Sequence, residues 1–513
     1  MFNFKIPSKM KTKRIGGITF LSVVLLAASC ARGVDDESFS GGVTNTQLES
    51  PTIDEASFSI LTNPDGTESV KVSWPVIYGA GGYLCNIECI ENPEDESVTS
   101  ENPLTVIQDS IVDGCSVAFA KIEDAVYNIS LQTLGNDKLN NAGAASATVY
   151  KYSALVPATT IPVGTDIAEY INANLKDSEK EQGFALEAGE TYTLNGKVDF
   201  RLNQITLRST EKDGTHPRVI VGPEGALVTQ AGLKVKFIDF DCTSATQTGL
   251  LMLSDTPDAS ISTESLGYKA NGANQNGYVI NKPVIFQECN IKNLPNSLIY
   301  GNKQPWSLRD FRITDCLIQL NNEGSNSFIN LYGGGNGLVK DMTIENNTIW
   351  NLVKNNSAYF IRYSNSSNAQ PKKIFGNNDN SSTHNIRYNT FCKTFSNKDF
   401  GNNMPNTNTV VLNTQYNIFY DVFRIYQYLQ NNCERHTPGN TIWGVDGGTP
   451  NGNDTGGRKD SDGNPYATLE DPAFAGTFLQ AINLDDQEKG GVNFTPTAPV
   501  ATQNQAGDPR WYK

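Results

Sequence analysis

Histidine is almost missing from this chain: 3 occur in 513 residues, and apart from Cys433-Glu-Arg-His436 none stands near a cysteine at metal-ligand spacing, too few ligands for the usual zinc sites. Basic residues are outnumbered, 40 Lys and Arg against 55 Asp and Glu, for a formal charge of −15. Neutralising phosphates takes a basic face that this balance does not supply, so nucleic acid is excluded as a partner. There is no Gly-x-Ser-x-Gly elbow, no phosphate-cradling Gly-Lys-Ser/Thr loop and no paired-histidine motif, so the commonest hydrolase, nucleotide and metalloprotease sites are absent. Beyond the first thirty residues no apolar run is long enough to cross a bilayer. What is present, 38% hydrophobic residues over this length, excludes a wholly disordered chain and points to two or three domains.

Lys11, Lys13 and Arg14 precede the apolar run 15–28, too short to span a membrane stably but suited to a secretory signal. The run ends in Leu26-Ala27-Ala28-Ser29-Cys30 and resembles a bacterial lipobox, which implies lipidation of Cys30. Cleavage there removes five basic residues (Lys5, Lys9, Lys11, Lys13, Arg14) and no acidic one, taking the charge to −20. Asp35-Asp36-Glu37 follows at once; it resembles the acidic export signal of Bacteroides-group surface lipoproteins, or serves as a solvated tether. The expected location is the outer membrane, at the cell surface, held by lipid alone. In that compartment disulfides are permitted, and one pair among Cys85, Cys89 and Cys115 could bridge.

From 51 to 155 short period-2 runs, such as Ser69-Val-Lys-Val-Ser-Trp74 and Tyr127-Asn-Ile-Ser-Leu-Gln-Thr-Leu134, are broken by Gly, Pro and Asn and read as a β-sandwich. The early Trp and late Tyr-x-Ile-x-Leu strand resemble a fibronectin type III module, which implies a spacer. After the linker 157–164, a short helix begins behind Thr165 or Asp166. Strands then follow one another without helices between, as the sides of a coil do.

A repeat, apolar-x-x-(Cys/Asn)-x-apolar, carries the second half. Its fixed position falls on Cys289, Cys316, Asn347, Asn389, Asn417 and Asn440, at intervals of 27, 31, 42, 28 and 23 residues. A constant core with variable spacers predicts an all-β solenoid, a right-handed parallel β-helix, preceded by the small sandwich. Asn tolerates the left-handed conformation and its amide can bond the Asn of the next coil, so these six residues are expected to form a buried corner ladder, with Cys as its small substitute.

Several repeats are followed by a strand ending in tyrosine, at Tyr300, Tyr332, Tyr363 and Tyr426, with Arg362 and Arg424 beside two of them. Stacked at about 4.8 Å, these rings either fill the core or present a row of faces to sugar rings. Seven residues before the ladder position stand Lys282, Arg309 and Lys340, with Asp310 and Asp341 adjoining. They form either an internally paired edge or a rail for an acidic polysaccharide. In the second case Arg309 or Lys340 would be the base of a β-elimination. Asp460-Ser-Asp462-Gly-Asn464 is a candidate Ca²⁺ turn, with Pro465 where a hand-type loop needs Gly, and 444–464 reads as a loop. No other metal or cofactor is expected.

The start at Phe184 to Leu194, the Asn-bearing coils, and the closing Leu469-Glu-Asp-Pro-Ala-Phe474, Asn493-Phe-Thr-Pro496 and Gly507-Asp-Pro-Arg-Trp511 resemble the Bacteroidetes lipoproteins carrying DUF4957 and DUF5123 regions, relatives of the pectate lyase-like superfamily. The expected organisation is signal peptide 1–29, acidic tether 30–50, sandwich 51–155, β-helix 156–465 and tail 466–513. The resemblance implies a polysaccharide-utilisation system, a pectin-like uronate ligand from plant or host, and a SusC/SusD-type outer-membrane partner. The clustered Ca²⁺ ligands of pectate lyases and the Asp pairs of polygalacturonases have no counterpart, so two functions are carried forward: a surface glycan-binding lipoprotein, and a β-helix polysaccharide lyase.

Overall fold

A computed structural model describes residues 42–513 apart from 64–66, 94, 96, 355–356 and 445–447. Cys30, Asp35, Asp36 and Glu37 therefore lie outside the described residues. Contacts divide the chain after Leu155 into two units.

The first unit is a sandwich of antiparallel sheets. Strands Phe58–Thr62, Glu68–Ser73 and Ser116–Ala120 form one sheet; Leu104–Val112, Tyr83–Glu91, Val126–Thr133 and Thr148–Ser153, paired in that order, form the other. Strict alternation buries Val70 and Val72 against Cys85, Ile87, Tyr127, Ile129 and Leu131. Tyr127 ties the corner before its strand, its hydroxyl accepting from Ile122 N at 2.8 Å. The expected tether ends earlier than 50, because Leu48 N donates to Ala142 O at 3.0 Å and Leu48 is buried. The described cysteines are all free thiols, Cys85, Cys89 and Cys115 included.

The second unit is the right-handed parallel β-helix. The coils build three parallel sheets of eleven, ten and seven strands, most middle coils contributing one strand to each. In one coil, for example, Trp306–Thr314 lies in the eleven-stranded sheet, Leu317–Leu320 in the ten-stranded and Ile329–Leu331 in the seven-stranded. Leu207, Val235, Phe286, Ile313, Ile344 and Ile386 follow one another in register along the inner face of the eleven-stranded sheet. Phe328, Phe360 and Phe400 stack beside the seven-stranded sheet with centroids 4.7 and 4.9 Å apart, one ring per coil rise.

The repeat position lies at the corner between the eleven- and ten-stranded sheets. Asn389 Nδ2 donates to Asn417 Oδ1 at 2.9 Å and to Ile344 O at 2.7 Å, Asn347 Nδ2 to Asn389 Oδ1 at 2.9 Å, and Asn417 Nδ2 to Asn440 Oδ1 at 3.0 Å. Cys316 N donates to Asn347 Oδ1 at 2.8 Å and Cys289 N to the Cys316 sulfur at 3.4 Å, so the two thiols continue the column. One expectation is corrected: the left-handed residue is not the ladder residue but the one before it, Glu288, Asp315, Asn346, Tyr388, Tyr416 and Gly439, with φ from 48° to 75°. The corner turn needs a positive φ, and the ladder amide supplies the hydrogen bonds that hold it. One coil earlier Phe237 takes that φ and Ile238 the ladder place, an apolar end that the repeat did not reveal.

Open ends of a solenoid expose unpaired strand edges and must be covered. The helix Ile167–Asn174, capped by Asp166 through Ala168 N at 2.9 Å, closes the first coil with Ile167, Ala168 and Ile171. At the other end the part of the expected loop 444–464 described from 448 on acts as a cap: Asp454 accepts from Ile425 and Tyr426 N, Asp460 from Thr437 N, and Ser461 exchanges two hydrogen bonds with Arg435. Coiling continues past 465, since Thr468–Leu469 pairs with Thr441–Ile442. The remaining tail covers the outer face of the ten-stranded sheet, where Ile482, Leu484, Val492, Phe494 and Trp511 bury Leu317, Trp350 and Cys392. Its Asp508 receives Thr348 Oγ1 at 2.8 Å.

Candidate functional site

In the seven-stranded sheet Ile299, Ile329 and Ile361 point inward, so the next residue of each strand points out. That outward column reads Tyr300, Asn330, Arg362, Asn402. Arg362 lies flat on the ring of Tyr332, 3.6 Å from its centroid, and 5.4 Å from that of Tyr359. Tyr332 is 43% exposed. Arg362 has no carboxylate partner among the described residues, and its Nε is buried without a hydrogen bond. A guanidinium stacked this way keeps its in-plane N–H edge free for a planar anion.

The strip continues along the axis. Asp399 and Arg424 pair across the next two coils, through a short contact from Arg424 Nε to Asp399 Oδ1 and a second, 3.3 Å, from Nη2 to Oδ2. Arg424 lies 4.6 Å from the Phe423 ring and 5.4 Å from that of Tyr426, and its Nη1 donates to the Tyr426 hydroxyl at 3.3 Å. Arg458, from the cap, lies 4.8 Å from the same Tyr426 ring, with Asn431 Oδ1 at 3.3 Å as its hydrogen-bond acceptor. Beneath, the Asp454 carboxyl holds the Ile425–Tyr426 backbone; burial pushes it up to about 7, its two backbone donors offsetting only part of that. Aromatic rings and cations thus alternate over four successive coils; Tyr332 is the exposed ring among them, whereas Tyr426, only 8% exposed, is buried against Arg424 and Arg458.

The four tyrosines do not form one row. Tyr300 is in register with Asn330, while Tyr363 is in register with Leu331, and Tyr332 lies one residue beyond. Tyr363 is fully buried, its hydroxyl accepting from Val339 N at 3.1 Å, and burial pushes that hydroxyl up. The strands share a terminal tyrosine at different offsets from their inward residue, and a one-residue offset reverses the face.

Of the two readings of Lys282, Arg309 and Lys340 the rail is corrected, while pairing with the adjoining carboxylate holds for Lys340, whose Nζ lies 2.9 Å from Asp341 Oδ2. Arg309 and Lys340 share a column, but Asn281 holds the equivalent place one coil earlier, and half-buried Lys282 lies a residue further on. Arg309 is 2% and Lys340 4% exposed. Two insertions, 254–277 and 364–381, cover them: Asn377 N donates to Asn271 O at 2.8 Å, and the Tyr268 and Phe375 rings meet at 5.4 Å. Asp379 bridges both cations, 2.5 Å from Arg309 Nη1 and 3.1 Å from Lys340 Nζ, and Arg309 also donates to the Tyr268 hydroxyl at 2.7 Å. A base for β-elimination must meet a C–H at contact distance; neither side chain is open to a sugar. The Asp460 carboxylate is likewise filled by backbone donors, from Thr437 at 2.9 Å, Asp462 at 3.0 Å and Asn464 at 2.8 Å, so it shapes a turn rather than offering oxygens to Ca²⁺. Among the described residues no group of three or more His, Cys, Asp and Glu is placed to hold a metal ion.

Sequence reasoning missed Tyr359, Asp399, Phe423 and Arg458. They come from turns of unequal length, and no repeat marks them; the one usable signal was an arginine beside an aromatic residue at Arg362 and Arg424.

Fold and site together define a parallel β-helix protein with a polar, aromatic strip on its narrowest sheet. Within that class, residues 190–352 match the family model Domain of unknown function (DUF4957), covering the coils from Thr191–Leu194 to Thr348–Asn351. Residues 8–195, through the sandwich and the capping helix, match a second model, DUF4992, also a domain of unknown function. No curated protein and no solved structure matches the chain. Among the described residues no helix is long and apolar enough to cross a membrane.

Proposed function

We propose that this chain is a surface lipoprotein that binds an acidic polysaccharide, of the pectin-like uronate kind, from plant or host. The observation that carries the reading is Arg362, a guanidinium stacked on the exposed Tyr332 ring without a carboxylate partner among the described residues. In a chain of charge −15 the overall field repels a polyanion, so an acidic ligand needs local cations of this sort. Lipidation at Cys30, export through Asp35, Asp36 and Glu37, and a SusC/SusD-type partner in a polysaccharide-utilisation system complete the proposal. The sandwich, with its three-plus-four strand order, suits the fibronectin type III-like spacer role, and the tail over the ten-stranded sheet is the DUF5123-like part. Affinity electrophoresis in gels containing acidic or neutral polysaccharides tests the reading. An acidic polymer should retard the parent, and Arg362→Ala should lose at least tenfold in affinity while its melting profile stays unchanged. Equal retardation of parent and variant would remove the strip from the proposal.

A further inference from the structure

We propose that the strip reads the spacing of charge along its ligand, taking a linear glycan whose acidic sugars are separated by neutral ones, with Asp399 as the residue that excludes an uninterrupted polyuronate. The inference rests on the strip being the glycan-binding surface and goes one step further, to the order of charges along it. The strip holds two cations without a carboxylate partner among the described residues, Arg362 at one end and Arg458 at the other. Arg362 is in register with Asn402 one coil on, Asp399 of that coil bridges to Arg424 in the next, and Arg458 lies on Tyr426 there, so the two cations are about two coil rises, roughly 10 Å, apart. Between them stands a third arginine that is not available. Arg424 spends Nε and Nη2 on Asp399 and Nη1 on the Tyr426 hydroxyl, so the middle of the strip is a neutral ion pair with Phe423 and Tyr426 beside it.

A pyranose residue lengthens its chain by about one coil rise. A polyuronate laid along the axis would therefore set a carboxylate at every coil, including the one over Asp399, which is 8% exposed and has no free donor to share. A carboxylate there would give up its water without a partner, because the Arg424 donors are already committed to Asp399 and Tyr426. A polymer that alternates acidic and neutral sugars meets Arg362 and Arg458 with its carboxylates. Its neutral ring lies over the uncharged middle, where a C–H edge meets half-buried Phe423.

The test compares the full mature chain on homogalacturonan, which carries a carboxylate on every residue, with hyaluronan and the rhamnogalacturonan I backbone, which carry one on every second residue. By affinity electrophoresis at fixed salt the parent should prefer an alternating polymer at least tenfold over homogalacturonan. Asp399→Asn frees Arg424 as an unpaired cation in the middle of the strip, and should gain homogalacturonan binding. Arg458→Gln is the second variant, a cap substitution that leaves the Asp399–Arg424 pair intact, and should weaken the alternating polymer at least fivefold. A parent that binds homogalacturonan as tightly as the alternating polymers, or an Arg458→Gln variant with parental affinity, overturns the charge-spacing inference and leaves the strip as a glycan site. Retention by neither class of acidic polymer overturns the glycan reading itself.

Discussion

Replacing Asn347 by Leu removes three hydrogen bonds from the middle of the corner ladder at one stroke. Cys316 N loses its acceptor at 2.8 Å, Ile313 O its donor at 2.9 Å, and Asn389 Oδ1 one of its donors at 2.9 Å. All of this occurs where Asn347 and Asn389 have no solvent exposure, so water cannot replace the lost partners. A buried backbone group left unpaired costs about 1–3 kcal/mol, and two of them set an expected loss of roughly 2–5 kcal/mol after the gain from burying Leu. At about 2 °C per kcal/mol for a unit of this size, the solenoid transition should fall by roughly 4–10 °C. The control is Asn385→Leu, on the outer face of the next coil's strand Ser382–Arg387, where the amide makes a half-buried contact of 2.9 Å to Asn413. It should change stability by no more than about 0.5 kcal/mol. Calorimetry of parent and both variants decides the matter. An Asn347→Leu transition no lower than that of Asn385→Leu would refute the ladder as the source of corner stability.

Stability should also depend on pH through two buried carboxyls and one histidine with opposite signs. Burial raises Asp508 to about 6 and Asp454 to about 7, so each stabilises the fold below the ordinary carboxyl range and loses that contribution as pH rises through about 4 to 7. Asp508→Asn should therefore flatten the fall in Tm between pH 4 and 7; an unchanged slope would contradict this. Burial lowers His384, hydrogen-bonded to Tyr428 at 2.9 Å, to about 4, so its contribution is present above about 6.5 and is lost as pH falls toward 4. His384→Gln should remove that acid-side loss in the same titration. Cys30→Ala should release the protein from membranes on fractionation, whereas alanine at Asp35, Asp36 and Glu37 should leave it lipidated yet sheltered from external protease. Unchanged partitioning in the first case, or equal protease access in the second, would discard the corresponding step.

The coil register was legible because a buried Asn or Cys must recur wherever a corner amide is needed, and the intervals of 23 to 42 residues exclude any blade or leucine-rich period. The ladder residues could be read one by one. The left-handed residue before each could not, since Glu, Asp, Asn, Tyr and Gly share that place and no composition marks it. Arg309 and Lys340 could be read as a rail or as a paired edge because they share a place seven residues before the ladder; two insertions of more than ten residues fold over them, and no spacing within the repeat shows where an insertion lands. The tyrosine row failed for a different reason. A strand-terminal residue sits where the chain bends into a turn, so its face depends on an offset of a single residue. Arg362 and Arg424, noted only as neighbours of that row, remain at the site, while Asp399 and Arg458 reach it from a turn and from the end cap.

The measurement that bears most directly on the account is a crystal structure of the mature chain with an acidic oligosaccharide that it retains. The account predicts sugar density along the seven-stranded sheet, with a carboxylate making two hydrogen bonds to the Arg362 guanidinium. Sugar density confined to the eleven-stranded sheet or to the sandwich, with Arg362 untouched, would contradict it.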